Sequence, residues 1–160
     1  MTMPDVRIRI QGDDELRRAM NNPEFVRGPL RDFLQRAAFV IESQMKQKVV
    51  VDTGRLRASI TTNVGPMAAS IGPTVDYAAF VEYGTRPHWA PPGALQPWAG
   101  RHGFPQGARG DFLMRWIIAR RGTRPHPFLK RTAQASIGQI RGLISRLQQD
   151  IEKGWRSRAI

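Results

Sequence analysis

The residues of this chain whose types bear on chemistry are its three histidines, His88, His102 and His126, and a thin scatter of carboxylates. Each histidine stands close to Pro or Gly, as loop residues do, and nothing in their spacing requires a shared metal ion. Cysteine is absent, which removes thiolate chemistry and disulfides together. Ser59 and Ser70 lack the Gly-x-Ser-x-Gly elbow that would present a nucleophile. Asp76 and Glu82 have no lysine motif beside them, so a metal-nuclease reading is weak. There is no glycine-rich phosphate loop, no dinucleotide fingerprint, no helix-turn-helix and no zinc finger. Without paired acids or an activated nucleophile, neither an enzyme nor a cofactor is expected.

Charge says more. The 160 residues carry a formal net charge of +12, unevenly placed. Residues 1–82 hold 11 Lys+Arg against 10 Asp+Glu, whereas residues 83–160 hold 14 against 3. A basic half of this kind suits phosphates or an acidic partner; ordinary solvated arginine is the alternative. No apolar run is long enough to span a membrane, and Met1 to Ile10 lacks the apolar core of a signal peptide, so a soluble cytosolic product is expected. The length suits a single domain, residues 1–160.

Three stretches organise the elements. The central one runs from Tyr77 to Thr85. Tyr77, Phe80 and Val81 share one helical face there, and Gly84 stands where a helix needs a left-handed stop. Glu82 falls on another side, as a solvated carboxylate or, preferably, an ion-pair partner for an arginine. Before it, Asp52-Thr53-Gly54 breaks the chain, with Asp52 or Thr53 free to cap a turn through Leu56 and Ser59. After it comes Arg124-Pro125-His126-Pro127-Phe128-Leu129.

Around these lie the supports. Asp5–Ile10 alternates as a half-buried strand, and Asp13 can cap a short helix to Met20. Gly28-Pro29 is expected to open a long helix with Leu30, Phe33, Leu34, Ala37, Ala38, Ile41 and Met45 on its core face. Residues 60–64 and 68–73 read as a hairpin turned by Gly65-Pro66. From Phe128 to about Lys153 a second long helix is expected, with Ala133, Ile137, Ile140, Ile144, Leu147 and Ile151 as its seam. A core helix accounts for that seam better than a coiled coil. Gly138 and Gly142 on it would permit close backbone approach.

Between the second and third stretches the composition shifts to Pro, Gly and Trp, with a short helix at 95–101 and another capped by Asp111 and ending at Arg120-Arg121-Gly122. Trp89, Trp98 and Trp116 lie here; they read as a contact surface or as a satellite core. Gly84-Thr85-Arg86-Pro87-His88 recurs as Gly122-Thr123-Arg124-Pro125-His126. That identity suggests an insertion over about residues 89–121, with two independent helix stops as the alternative.

The three stretches together, Asp52-Thr53-Gly54-Arg55-Leu56-Arg57-Ala58-Ser59-Ile60, Tyr77-Ala78-x-x-Val81-Glu82-Tyr83-Gly84-Thr85 and Pro125-His126-Pro127-Phe128-Leu129, resemble the tail-component (neck) protein family of Hong Kong 97-like long-tailed phages. The resemblance implies an α+β fold, a small antiparallel sheet packed against two long helices, here with a Pro/Gly/Trp-rich helical insertion. It also implies a structural protein of the virion, made in the host cytoplasm, that joins head to tail. The implied assembly is a homo-oligomeric six-fold ring around the DNA channel, beside head-completion, tail-terminator or tail-tube proteins. Structural duty then falls to Asp52, Thr53, Gly54, Leu56, Ser59, Tyr77, Val81, Glu82, Gly84, Thr85, Pro127, Phe128 and Leu129. The contact surface would draw on Trp89, Trp98, Trp116, Arg120, Arg121, Arg141 and Arg146. From another class, the basic half also fits a stand-alone nucleic-acid-binding protein.

Overall fold

The computed structural model describes residues 6–8 and 23–156. The short helix expected over 13–20 and the outer ends of the first strand lie outside the described residues. The chain divides into two compact units, one of residues up to Ala78 and from Phe128 on, the other of Ala79–Pro127.

The first unit holds β1 (Val6–Ile8), α1 (Pro23–Lys48), α2 (Arg55–Ala58), β2 (Ile60–Val64), β3 (Ala69–Pro73) and α6 (Phe128–Arg156). The sheet is antiparallel in the order β1-β3-β2, and Ile71 of the central strand stands opposite both Val6 and Thr62. Ala69, Ile71 and Pro73 are buried on alternate positions of β3, the period of two that puts one face inward. The sheet packs on α1, and α6 packs along α1. The protein is thus of the α+β class.

The expected core face of α1 is the observed one: Leu30, Phe33, Leu34, Ala37, Ala38, Ile41 and Met45 are all buried. Burying each of the larger side chains stabilises by roughly 1.5–3 kcal/mol. The start of the helix differs from expectation. It begins at Pro23, and Pro29 lies inside it. Proline at a first helical position loses no hydrogen bond, so Pro23 opens the helix where Pro29 was expected to. Glu42, just off the core face, accepts a hydrogen bond from Thr62 Oγ1 at 2.6 Å and one from Lys46 Nζ at 2.5 Å, which pins β2 to α1.

The N-cap position expected of Asp52 or Thr53 falls one or two residues later. Gly54 itself is the N-cap of α2, at φ +81°. Only the absence of Cβ makes that left-handed angle cheap.

The last helix corrects the expected seam. Leu129, Thr132, Ser136 and Leu147 are buried, with Ile140, Leu143 and Ile151 partly so, whereas Ala133, Ile137 and Ile144 are exposed. The inward stripe is rotated so that Thr132 and Ser136 take core positions. Thr132 Oγ1 satisfies itself on Phe128 O at 2.7 Å, while the buried Ser136 Oγ has no partner. Gly138 and Gly142 serve no close approach: a Cβ at either would meet nothing within 4 Å.

The second unit contains most of α3 (Ala78–Tyr83), then α4 (Gln96–Arg101) and α5 (Ala108–Arg121). In α3 the inward residues are Ala78, Ala79 and Glu82, and Phe80 is 51% exposed. Of the face shared by Tyr77, Phe80 and Val81, the first two are exposed and Val81 is half-buried. Tyr77 itself precedes the helix, and the solvated reading of Glu82 fails because that residue is buried. Burying Glu82 while leaving Phe80 out goes against the usual order of burial.

Asp111 does not cap its own helix. The helix starts earlier, at Ala108, and the buried Asp111 carboxylate accepts the backbone N–H groups of Gly93, at 2.9 Å, and Leu95, at 3.0 Å. It organises the loop leading into α4. Gly110 in its first turn lets the preceding loop pass close by, since a Cβ there would lie 1.9 Å from Pro105 O.

Candidate functional site

The repeated pentapeptides meet. Thr85 and Thr123 form an antiparallel bridge in which each backbone N–H donates to the other's carbonyl, both at 3.3 Å. Their hydroxyls are 3.1 Å apart and hydrogen-bonded. The exchange extends one step outward on both sides. His88 N–H donates to Ile118 O in the last turns of α5, and His126 N–H donates to Val81 O in α3. Each copy thus closes the helix that precedes the other. Gly84 and Gly122 have nearly equal angles, φ +70° and +68°. A Cβ on Gly84 would lie 2.4 Å from Thr123 O, and one on Gly122 would lie 1.9 Å from Thr85 O. Both glycines are required twice over, by backbone angle and by proximity.

Within the same unit the tryptophans part company. Trp98 is half-buried and stacks on His102, with ring centres 4.0 Å apart, and Phe104 stands beside it. Trp89 is 58% exposed with the Arg115 guanidinium 5.6 Å from its ring centre. Trp116 is 39% exposed with Arg120 over its face at 4.3 Å. Cation–π pairs of this kind are worth about 0.5–1 kcal/mol at exposed sites. Arg115 is further held by Ala90 O, at 2.8 Å, and lies 3.9 Å from Asp111. The sequence puts all three tryptophans in one candidate surface; the structure leaves Trp89 and Trp116 outward and gives Trp98 packing duty.

In the first unit, Arg141 and Arg146 are exposed on α6. Beside Arg141, on the same side of the helix, lie the exposed Ala133, Ile137 and Ile144. The motif residues there are joints. Leu56 is buried, and Ser59 Oγ donates to Leu56 O at 2.8 Å while Ser59 O accepts from Thr74 N–H at 3.0 Å. Asp52 and Thr53 are exposed, and Phe128 and Leu129 are buried at the start of α6, just after the half-buried Pro127.

Glu42 was missed by sequence reasoning, because an acid off the core face of a helix looks solvated. Its carboxyl is held below the usual glutamate value, first by the Lys46 hydrogen bond and then by Thr62, against a smaller opposing effect of burial. The histidines do not converge. His88 Nδ1 donates to Arg86 O and His102 Nδ1 to Trp98 O, both at 2.9 Å. Among the described residues, no three His, Asp or Glu side chains are placed to hold a metal ion. No helix among them is long and apolar enough to cross a membrane.

Residues 26–84 match the model of the family described as "Bacteriophage HK97-gp10, putative tail-component". The matched segment covers α1, the Gly54 turn, the β2–β3 hairpin and α3 up to its glycine stop. No curated protein and no solved structure gives a match.

Proposed function

We propose that the protein is a structural component of a phage or prophage virion, placed at the neck or upper tail. In this reading it helps to join head to tail as one subunit of a closed, six-fold homo-oligomeric ring around the DNA channel. The observation that carries the reading is the match of residues 26–84 to a tail-component family. Its neighbours would be head-completion, tail-terminator or tail-tube proteins, and its action would be assembly without catalysis.

Two features support a ring of copies. Ala133, Ile137 and Ile144 leave an apolar flank on α6 beside its buried stripe, and a second copy is an occupant of matching chemistry. Arg141 and Arg146 on the same helix then supply charge for packaged DNA. Residues 89–121 act as an insertion that decorates the ring subunit, since the pentapeptides that flank them are paired.

Electron microscopy of assembled particles tests the reading. The expected result is a symmetric ring of this chain at the head–tail joint; a single asymmetric copy would overturn it. The double substitution Arg141→Glu/Arg146→Glu should impair assembly or DNA retention while leaving the isolated protein folded. The net charge of +12 also favours a second reading, a nucleic-acid-binding protein that acts alone. Tight, steeply salt-dependent binding of the isolated chain to duplex DNA, with no incorporation into particles, would select it.

A further inference from the structure

Helix α5 is built inside out. Its inward side carries Gly110, Asp111 and Ile118, while Phe112, Leu113 and Trp116 are 59%, 38% and 39% exposed. At about 100° per residue, Arg109, Phe112, Leu113, Trp116 and Arg120 fall within one arc of roughly 100°. The apolar side chains that would ordinarily fill a core therefore form an outward ridge with an exposed arginine at each end.

The charge around this ridge has one sign. The acids between residues 79 and 127 are Glu82 and Asp111, and both are buried. Arg86, Arg101, Arg109, Arg120, Arg121 and Arg124 are all exposed. The guanidinium of Arg120 is parked on the Trp116 ring, so the apolar and cationic parts of the ridge are one surface.

We propose that this face of α5 docks into a groove of a different protein, apolar along its floor and acidic along its rim. The same unit of a second copy is a poor occupant, because its two acids, Glu82 and Asp111, are buried and give no acidic rim. Duplex DNA would answer the arginines but has no use for Phe112 and Leu113, whose exposure costs free energy that only an apolar floor recovers. An amphipathic helix laid in a groove, anchored by Trp and flanked by Arg, meets both needs.

The full-length protein is titrated with three fluorescently labelled probes at physiological salt. They are a synthetic amphipathic peptide of alternating Leu- and Glu-rich turns, poly-glutamate of the same net charge, and a short DNA duplex. Anisotropy should show the amphipathic acidic peptide binding at least about tenfold tighter than poly-glutamate. Phe112→Ser/Leu113→Ser should weaken the amphipathic peptide about tenfold and leave poly-glutamate unchanged. Both side chains are exposed, so circular dichroism should be unaltered. Arg109→Glu/Arg120→Glu should weaken both acidic probes. Equal binding of the two acidic probes, or an unaffected serine variant, would overturn the proposal. So would duplex binding tighter than the amphipathic peptide, which would give the face to nucleic acid. None of these outcomes depends on whether the protein forms a ring, so the two proposals fail separately.

Discussion

Thr85 and Thr123 face each other as a reciprocal pair, exchanging backbone hydrogen bonds at 3.3 Å and touching through their hydroxyls at 3.1 Å. The sequence position of one predicts that of the other, because both are second in an identical pentapeptide. The chain leaves at one threonine and returns at the other. The intervening residues therefore have a closed base.

Excision of the segment follows from that base. Joining Thr85 to Arg124 removes residues 86–123 and restores a single Gly-Thr-Arg-Pro-His. Loop-closure cost changes slowly with length, by about 0.6 kcal/mol per doubling, so closing ends that already meet should be tolerated. The shortened chain should melt cooperatively, with helical signal reduced only by α4 and α5, and should fail to complement assembly. A non-cooperative melt would show that the segment belongs to the core.

The glycines should separate by environment. Gly54 and Gly84 both have positive φ, but a Cβ on Gly54 meets nothing within 4 Å whereas one on Gly84 meets Thr123 O at 2.4 Å. Gly54→Ala should cost roughly 1–2 kcal/mol from backbone angle alone. Gly84→Ala should cost at least about 1 kcal/mol more, because the Thr85–Thr123 bridge must open. Urea unfolding of both variants measures the difference, and equal losses would refute it.

Glu42 gives a pH dependence. Its folded-state pKa lies below the unfolded value because Lys46 and Thr62 bind the charged form. The stabilisation is therefore complete above the unfolded pKa and is lost as pH falls through the folded one. Glu42→Gln should be less stable than wild type at about pH 7, and the gap should narrow as pH falls below the ordinary glutamate range. A gap of constant size would mean that the carboxylate charge contributes nothing.

Gly138 and Gly142 offer the opposite sign. Both are exposed on α6 with open space at the Cβ position. Alanine at either site should stabilise by about 0.5–1 kcal/mol, read as a rise in melting temperature. A fall would reveal a contact that the free chain does not make.

What the sequence made legible tracks how its cores are written. In α1 every buried position is apolar, so the period of the helix appeared directly, and only the choice between Pro23 and Pro29 went astray. In α6 the core includes Thr132 and Ser136, which a hydrophobic pattern cannot see, and the visible seam slid onto the exposed Ile137 and Ile144. In α5 the pattern was inverted in its first half, with Gly110 and Asp111 inside and Phe112 outside, while Ile118 is buried as expected of an apolar residue. Turn chemistry showed the same contrast. Gly84 was readable as a helix stop, but Asp111 looked like a local cap when its partners, Gly93 and Leu95, lie well upstream. Of the candidate contact residues, Trp89 and Trp116 are exposed, whereas Trp98 packs on His102 and Phe104, a difference the sequence pattern does not mark.

The paired pentapeptides also bear on how such a chain changes between generations. Loss of one pentapeptide copy with everything between them, Arg86 to Thr123, would keep the reading frame and leave a single Gly-Thr-Arg-Pro-His. Either form begins its return with the same glycine and threonine, so the helix stop at α3 survives the event. The Thr85–Thr123 bridge is in that sense a seam, a place where the length of the chain between the two threonines is decoupled from the position of its ends.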